Sequence, residues 1–408
     1  MAAAGANNQD YDIVIVGAGM VGASAACLLA RSNHNYKSGS LSIALVETSP
    51  ADAFDTSQFD PRVAAITEQS RQLLELCGVW STISERRISA FHAMEVWDAE
   101  GTGRIQFDCT EIEQPNLGHI VENGLIVEAL LGKVAALDNI DFICPAKITE
   151  YQQLDDGLGL ELDDGRYLKT KLLVAADGAQ SAIRQQFEFV TKEWDYGHKA
   201  IVSTIRTQHP NRQTAWQRFM PSGPLAFLPL NNDGDLNLCS IVWSQQTQIA
   251  ERLMALDDEQ FCAELSMASE HCLGNVLSVE KRFLIPLRQR HATDYVVHRV
   301  ALLGDAAHTI HPLAGQGANL GFADVAALVD EVDRAVARGN DIGALSTLTR
   351  YQRRRKPDNL ITMAAMEGFK RLFGADNVTL RLLRNMGLSK LNKLQRFKNT
   401  IIRKAMGM

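Results

Sequence analysis

YDIVIVGAGMVG, residues 11–22, opens with Tyr11-Asp-Ile-Val-Ile-Val16, an almost unbroken run of β-branched residues. Such a run reads as a parallel strand buried on both faces. Gly17, Gly19 and Gly22 follow at once as G-x-G-x-x-G and lead into an alanine-rich helix. Glycines at this spacing permit a tight turn and let backbone N–H groups approach a pyrophosphate at the helix N-terminus. The same pattern also suits a ligand-free site where a helix packs closely on a strand. The next strand, Ser42-Ile-Ala-Leu-Val-Glu47, ends in an acid that can accept ribose hydroxyls and repel a 2′-phosphate. Glu47 lies 25 residues after Gly22, and the polar segment Ser32–Ser40 accounts for a spacing longer than the usual one. A dinucleotide-binding βαβ unit results, but this unit alone does not separate NAD from FAD.

Two later segments do. Ala176-Asp177-Gly178-Ala-Gln-Ser181-Ala-Ile-Arg184 follows the apolar run Lys171–Ala176. GDAAHTIHPLAGQGANLGF, residues 304–322, follows the run Arg299–Leu303 and precedes a helical pattern. Three strand ends bearing glycines and acids can converge on one extended ligand. Asp305 can bond a polyol such as the ribityl chain of FAD, which NAD lacks. Asp305, His308 and His311 are spaced as three ligands on one helical face. Gly304, Pro312 and Gly315 argue against a continuous helix there, so no metal site is expected. His308 and His311 read as hydrogen-bonded packing residues, with His308 also a candidate for handling a proton.

Around this framework, Asp156-Gly157 and Asp164-Gly165 mark turns of a β-meander. Strand-like runs such as Ala226–Leu230 and Leu238–Trp243 suggest a mostly antiparallel second domain. The fold class is α/β. We expect a discontinuous cofactor domain (1–80, 104–190 and 287–350), an interleaved antiparallel substrate domain (81–103 and 191–286) and a helical C-terminal region (351–408). Seven scattered cysteines without a CxxC pair suit a reducing compartment. The chain's start has no signal-peptide pattern, no run is apolar enough to span a bilayer, and a cytoplasmic location is expected. The net charge of −7 argues against nucleic acid as a partner, but the charge is uneven. Phe369–Met408 holds ten Lys or Arg and one acid, Asp376, for a net +9, which leaves −16 on the rest.

The motifs together resemble the flavin-dependent aromatic hydroxylases, the single-component class A flavoprotein monooxygenases. More narrowly, the chain resembles the ubiquinone-biosynthesis hydroxylases through Asp60–Ile66, Phe91–Asp98, Gly118–Gly124, Leu238–Trp243 and Gly304–Phe322. Among their branches it is most similar to the one that hydroxylates 2-octaprenylphenol at ring position five. The resemblance implies FAD as cofactor, NADH or NADPH as reductant, and O₂ as co-substrate through a flavin hydroperoxide. It implies that Gly17, Gly19 and Gly22 hold the pyrophosphate and Glu47 the adenosine ribose. Arg62 and Asn123 would lie along the cofactor, and Asp177 would serve both FAD and the nicotinamide. Gly304 and Asp305 would hold the ribityl chain, and Pro312 would face the reacting edge of the flavin. Gly315, Gln316, Gly317 and Asn319 would aim backbone donors at its pyrimidine, where reduction places negative charge. Ala318 departs from the pattern, standing where relatives carry a larger apolar residue. A sister hydroxylase acting at another carbon, a flavin reductase of prenyl chains and a non-catalytic scaffold are the rival readings.

Phe219, Phe227 and Trp243 are candidate linings of a substrate pocket, and each is equally readable as sheet core. A prenylated phenol needs an open apolar channel. The tail offers an amphipathic face of Leu388, Leu391, Leu394, Phe397, Ile401 and Ile402, on which Lys390 and Lys398 intrude. Self-association into a homo-oligomer, docking to a ubiquinone-biosynthesis complex and peripheral contact with the inner membrane are its candidate uses.

Overall fold

The computed structural model describes residues 8–31, 40–51, 53–309 and 316–374, with 394, 398–400, 402, 403, 406 and 407 of the last segment. The Ser32–Ser40 extension therefore lies almost wholly outside the described residues, as do His311, Pro312 and Gly315.

The strand Asn8–Val16 pairs in parallel with Ile43–Val46 on one side and Tyr167–Ala175 on the other. Ile140–Ile143 and Val300–Leu302 extend the parallel sheet outward. Ile13, Val14 and Ile15 are fully buried, as their uniform hydrophobicity requires. Helix Met20–Arg31 packs against both Asn123–Val134 and Gln316–Ala337. The meander Ile148–Gln153, Leu158–Leu162 and Tyr167–Ala175 forms at the expected turns. Gly17 N–H donates to Val46 O, Ala176 N–H to Val16 O, and Leu303 N–H to Ala175 O. The carboxyl ends of the parallel strands thus share one edge, where open α/β sheets bind ligands.

A second, nine-stranded sheet is built around the long strand Thr191–Thr207, flanked antiparallel by Asp235–Gln246 and Phe283–Ala292. It continues through Leu225–Asn232, Thr214–Phe219 and Ala93–Asp98 to Arg104–Asp108. Arg104–Asp108, all of Phe283–Ala292 and the short His308–Thr309 belong to this sheet, so its strands straddle the expected boundaries at 103/104 and 286/287. One face is covered by helices Thr247–Met254 and Asp258–Ala268, whose Leu253 and Phe261 share a core with Trp97, Trp216, Phe227 and Trp243. The inner face carries Leu228, Leu230 and Leu238 against Phe91 and Ile120 of a three-stranded sheet, Val63–Ile66, Gly118–Glu122 and Ile88–Phe91.

The helix Leu345–Gly374 accords with the helical reading of this region. Near the end of the chain, Lys398 explains its intrusion on the apolar arc. It is 5% exposed, its Nζ donating to Gln106 O at 3.0 Å and meeting Glu111 Oε1 at 2.6 Å. Ile402 and Met406 join the core beneath, and Gln69 N–H donates to Met406 O. Part of the tail's charge is therefore spent inside the fold. Lys398→Met should lower the urea midpoint by the equivalent of about 2 kcal/mol, since Glu111 loses its charged donor.

Candidate cofactor cleft

The shared strand edge opens into a cleft of about 290 Å³ lined by Gly19, Val21, Asn123, Gly178, Asp305 and Gly317 among others. Two of the three N-terminal glycines act on the backbone itself. Gly17 has φ +100°, and a Cβ there would lie 2.3 Å from Ala176 O. A Cβ on Gly22 would lie 1.8 Å from Gly17 O. Gly19 differs, because a Cβ on it meets no neighbour within 4 Å. Gly19 is thus the member of the motif that faces the cleft.

Glu47 lies at the end of its strand beside that turn. Its Oε2 accepts from Ala18 N–H at 2.7 Å, and its Oε1 accepts from the N–H groups of Thr48 and Ser49. Asn123 is the first residue of helix Asn123–Val134, and its N–H donates to Arg62 O at 3.0 Å. The buried Oδ1 of Asn123 has no partner within the protein. Asp177 also keeps a buried, unpartnered Oδ1, while its Oδ2 accepts from Ile183 N–H. Burial pushes the Asp177 carboxyl above the usual carboxylate range, against hydrogen bonds from Ser181 and the following backbone. Two orphaned polar atoms beside one cleft fit a ligand rich in hydroxyls and phosphate.

Asp305 sits in the short 3-10 turn Gly304–Ala306 and is open to the cleft. Protein surrounds it on its other sides, and this burial raises its pKa, with the charge of His308 opposing. Asn319 spends its side chain on the fold. Its Nδ2 donates to Ala65 O at 2.8 Å and its Oδ1 accepts from Thr67 N–H at 3.1 Å. Only its backbone is left for a cofactor. Gln316 is the first residue of helix Gln316–Ala337, and Gly317 and Ala318 line the cleft.

Arg62 lies in a neighbouring, larger cleft of about 840 Å³ that shares Asn123. A chain of side chains that the sequence did not reveal sets its position. Asp60 accepts from Arg62 N–H and Gly124 N–H, and Glu122 Oε1 accepts from Asp60 N–H at 2.6 Å. Arg87 grips Glu122 through Nε at 2.8 Å and covers the Phe59 ring at 4.0 Å.

Other candidates are placed differently. His308 is 1% exposed and bonded to Asp324, so it is a packing residue behind the cleft wall and not a group that can touch substrate. Phe227 and Trp243 are 2% and 3% exposed beneath the two covering helices, Trp243 edge-on to Phe261. They belong to the core on the face turned away from the cofactor domain. Phe219 lies on the inner face with Val96, Ile105 and Met366. Among the described residues no cluster of side chains is suited to a metal.

A βαβ cofactor edge joined to an antiparallel sheet in this order defines the FAD-binding aromatic-hydroxylase fold. Residues 10–362 match the FAD binding domain family, and the chain belongs to that family of FAD-dependent monooxygenases. It is 35% identical to the ubiquinone biosynthesis monooxygenase COQ6, mitochondrial, of Xenopus tropicalis, over 96% of this chain and 92% of that one. It is also 35% identical to the 3-demethoxyubiquinol 3-hydroxylase of Escherichia coli K12, over 98% and 100%. Among solved structures it resembles PqsL, a probable FAD-dependent monooxygenase from Pseudomonas aeruginosa, with TM-score 0.75 and 21% identity, over 94% and 100% of the two chains. That last likeness bears on the fold.

Proposed function

We propose that the protein hydroxylates the ring of a polyprenylphenol intermediate of ubiquinone biosynthesis, with electrons from NADH or NADPH and one oxygen atom from O₂. The observation that carries this reading is the match, across nearly the whole chain, to relatives named for ubiquinone biosynthesis. The cleft supports it from the protein's side. Bound FAD supplies the electron transfer and the oxygen activation. Gly19, Glu47, Asn123, Asp177 and Asp305 would hold its polar length, and the glycines after Gly304 would admit its ring system. Gln217 and Phe219, alternate residues on one strand, point from the inner face, where Phe219, Met94 and Phe107 offer an apolar wall to a prenyl chain. Their task is to orient the ring and exclude water.

The finer reading is hydroxylation of 2-octaprenylphenol at ring position five. The Escherichia coli relative carries a name for a different ring carbon, which makes that position the rival. The test is anaerobic reduction of the holoenzyme, then mixing with O₂ and a short-chain prenylphenol or demethoxyubiquinol analogue. Product formed from the prenylphenol and oxidised at position five supports the reading. Oxidation of the demethoxyubiquinol alone assigns the rival position, and peroxide without product from either analogue sinks the hydroxylase reading for these rings.

A substrate this apolar is drawn from lipid, and we assign the remaining basic charge of the tail to contact with an anionic membrane surface. Cosedimentation with anionic vesicles that weakens with salt is the expected result. Equal binding to neutral vesicles would remove the electrostatic part.

A further inference from the structure

Behind the wall of the cofactor cleft lies a buried polar network that none of the glycine motifs announces. Its centre is Asp324 on helix Gln316–Ala337, fully buried. One carboxylate oxygen, Oδ2, faces the turn that carries Asp305. It accepts from Gly304 N–H at 3.2 Å, at the start of the turn, and lies 2.5 Å from His308 Nε2, just after its end. The other oxygen, Oδ1, faces helix Leu345–Gly374. It accepts from Arg355 Nε at 2.8 Å and from Asn359 Nδ2 at 3.2 Å. Arg355 also donates to Asn359 Oδ1, and Asn359 donates to Tyr295 OH, itself fully buried. Tyr295 OH lies 3.4 Å from His291 Nδ1, and His291 pairs across the sheet with His308.

A fully buried carboxylate with four donors is costly unless every bond is made, and here every bond is made. Burial raises the Asp324 carboxyl, but the charges of His308 and Arg355 and their hydrogen bonds outweigh it, so the group stays ionised. An ionised carboxylate can only accept, which places a hydrogen on Nε2 of His308. His291 stays neutral, because burial and neighbouring positive groups lower it to about 4. The charges in the cluster are therefore the Asp324 carboxylate, Arg355 and, when protonated, His308, with Asp358, which accepts from Arg355 NH1 at 3.2 Å from an exposed position, and Lys356 and Lys192 nearby. Gly304 is one peptide unit from Asp305, which lines the cleft.

We propose that Asp324 is a positioning residue for the cofactor. By accepting from both ends of the Gly304–His308 turn it holds Asp305 against the cleft, and its charge, balanced by Arg355, sets the reduction potential of the bound flavin. The inference rests on the reading of Asp305 as a cofactor contact. It differs from a general contribution to stability because the two ends of the ion pair act in opposite directions. Removing the carboxylate leaves Arg355 with only the exposed Asp358 beside it, which favours the reduced, more negative flavin and raises the potential. Removing the guanidinium takes the permanent cation from Asp324 and lowers the potential.

The experiment measures FAD dissociation constants and flavin midpoint potentials for Asp324→Asn, Arg355→Met, Asp305→Ala and Leu328→Ala. Leu328 lies one turn along the same helix, is 1% exposed in the apolar core, and supplies a loss of core stability without removing a charge or a hydrogen-bonding group. Asp324→Asn should bind FAD at least tenfold more weakly. Its potential should rise, and that of Arg355→Met should fall, each by the equivalent of about a tenfold preference, or about 30 mV for a two-electron couple. Leu328→Ala should leave the potential where it is. Shifts of one sign in both variants, or none beyond that of Leu328→Ala, overturn the proposal. If Asp324→Asn does not fold, Arg355→Met against Leu328→Ala decides alone. Asp305→Ala that holds FAD as tightly as the parent would sink the underlying reading of Asp305, whichever way the potentials move.

Discussion

Asp305→Ala is expected to purify nearly colourless, with FAD bound on the order of a hundredfold more weakly than in the parent. The residue occupies a 3-10 turn of three residues, entered through Gly304 at φ +55° and closed where Thr309 Oγ1 donates to Asp305 O at 3.2 Å. The turn therefore keeps its shape when the carboxylate is removed, and the variant isolates the side chain. Truncating one member of a charge-assisted hydrogen bond at a desolvated ligand site costs about 2–5 kcal/mol, which spans the stated loss. The ratio of flavin to protein absorbance reads the result directly, and titration of the apoprotein with FAD gives the constant. Asp305→Asn, which keeps an acceptor of the same shape, should fall between. A variant that retains stoichiometric FAD would show that the cofactor is held elsewhere along the cleft.

The parts of the site that the sequence makes legible are those where backbone chemistry dictates residue type. Gly17 and Gly22 are readable because a side chain cannot fit against Ala176 O or Gly17 O. The parallel strands are readable because burial on both faces leaves no polar residue in Ile13–Ile15. The faces of the antiparallel sheet are not, because both are buried. Trp243 and Val242 look alike in a string of apolar residues, yet Trp243 faces the helices and Val242 the cofactor domain. The polar supports were hidden for a different reason. Asp324 meets Arg355 from 31 positions away, Glu122 meets Arg87 from 35, and Lys398 meets Glu111 from 287. No local period marks such pairs, so nothing in the sequence distinguishes them from ordinary solvated charges on a helix or strand. Lys398 gave the one visible sign, a charge on an apolar arc.

Arg87→Met is expected to cost about 3–5 kcal/mol of folding stability, the other large effect. The side chain of Glu122 is 2% exposed, and Arg87 is its cationic partner, with Nε on Oε2 at 2.8 Å and an NH2 donor on Oε1 at 2.9 Å. Methionine keeps the apolar stem against Phe59, so the loss comes from a buried carboxylate left without its cation. The pH dependence identifies it. Burial already holds the Glu122 carboxyl above its ordinary value, against the pull of Arg87. Without Arg87 it rises further. A carboxyl whose folded pKa exceeds the unfolded value of about 4.3 stabilises the fold below that value and loses the contribution as pH climbs through the folded pKa. The gap between parent and variant should therefore be small near pH 5 and widen toward pH 8, in urea melts at fixed salt. Arg87→Met combined with Glu122→Gln should recover much of the loss, since a neutral amide needs no cation. A gap that stays constant with pH would mean that the hydrogen bonds of Arg87 to Thr56 O and Gln58 O, and not its charge, carry the effect. Because Glu122 also holds the N–H of Asp60, and Asp60 holds that of Arg62, the destabilised variant should bind FAD less tightly. The double variant tells whether the geometry of that chain or its charge matters to the cofactor.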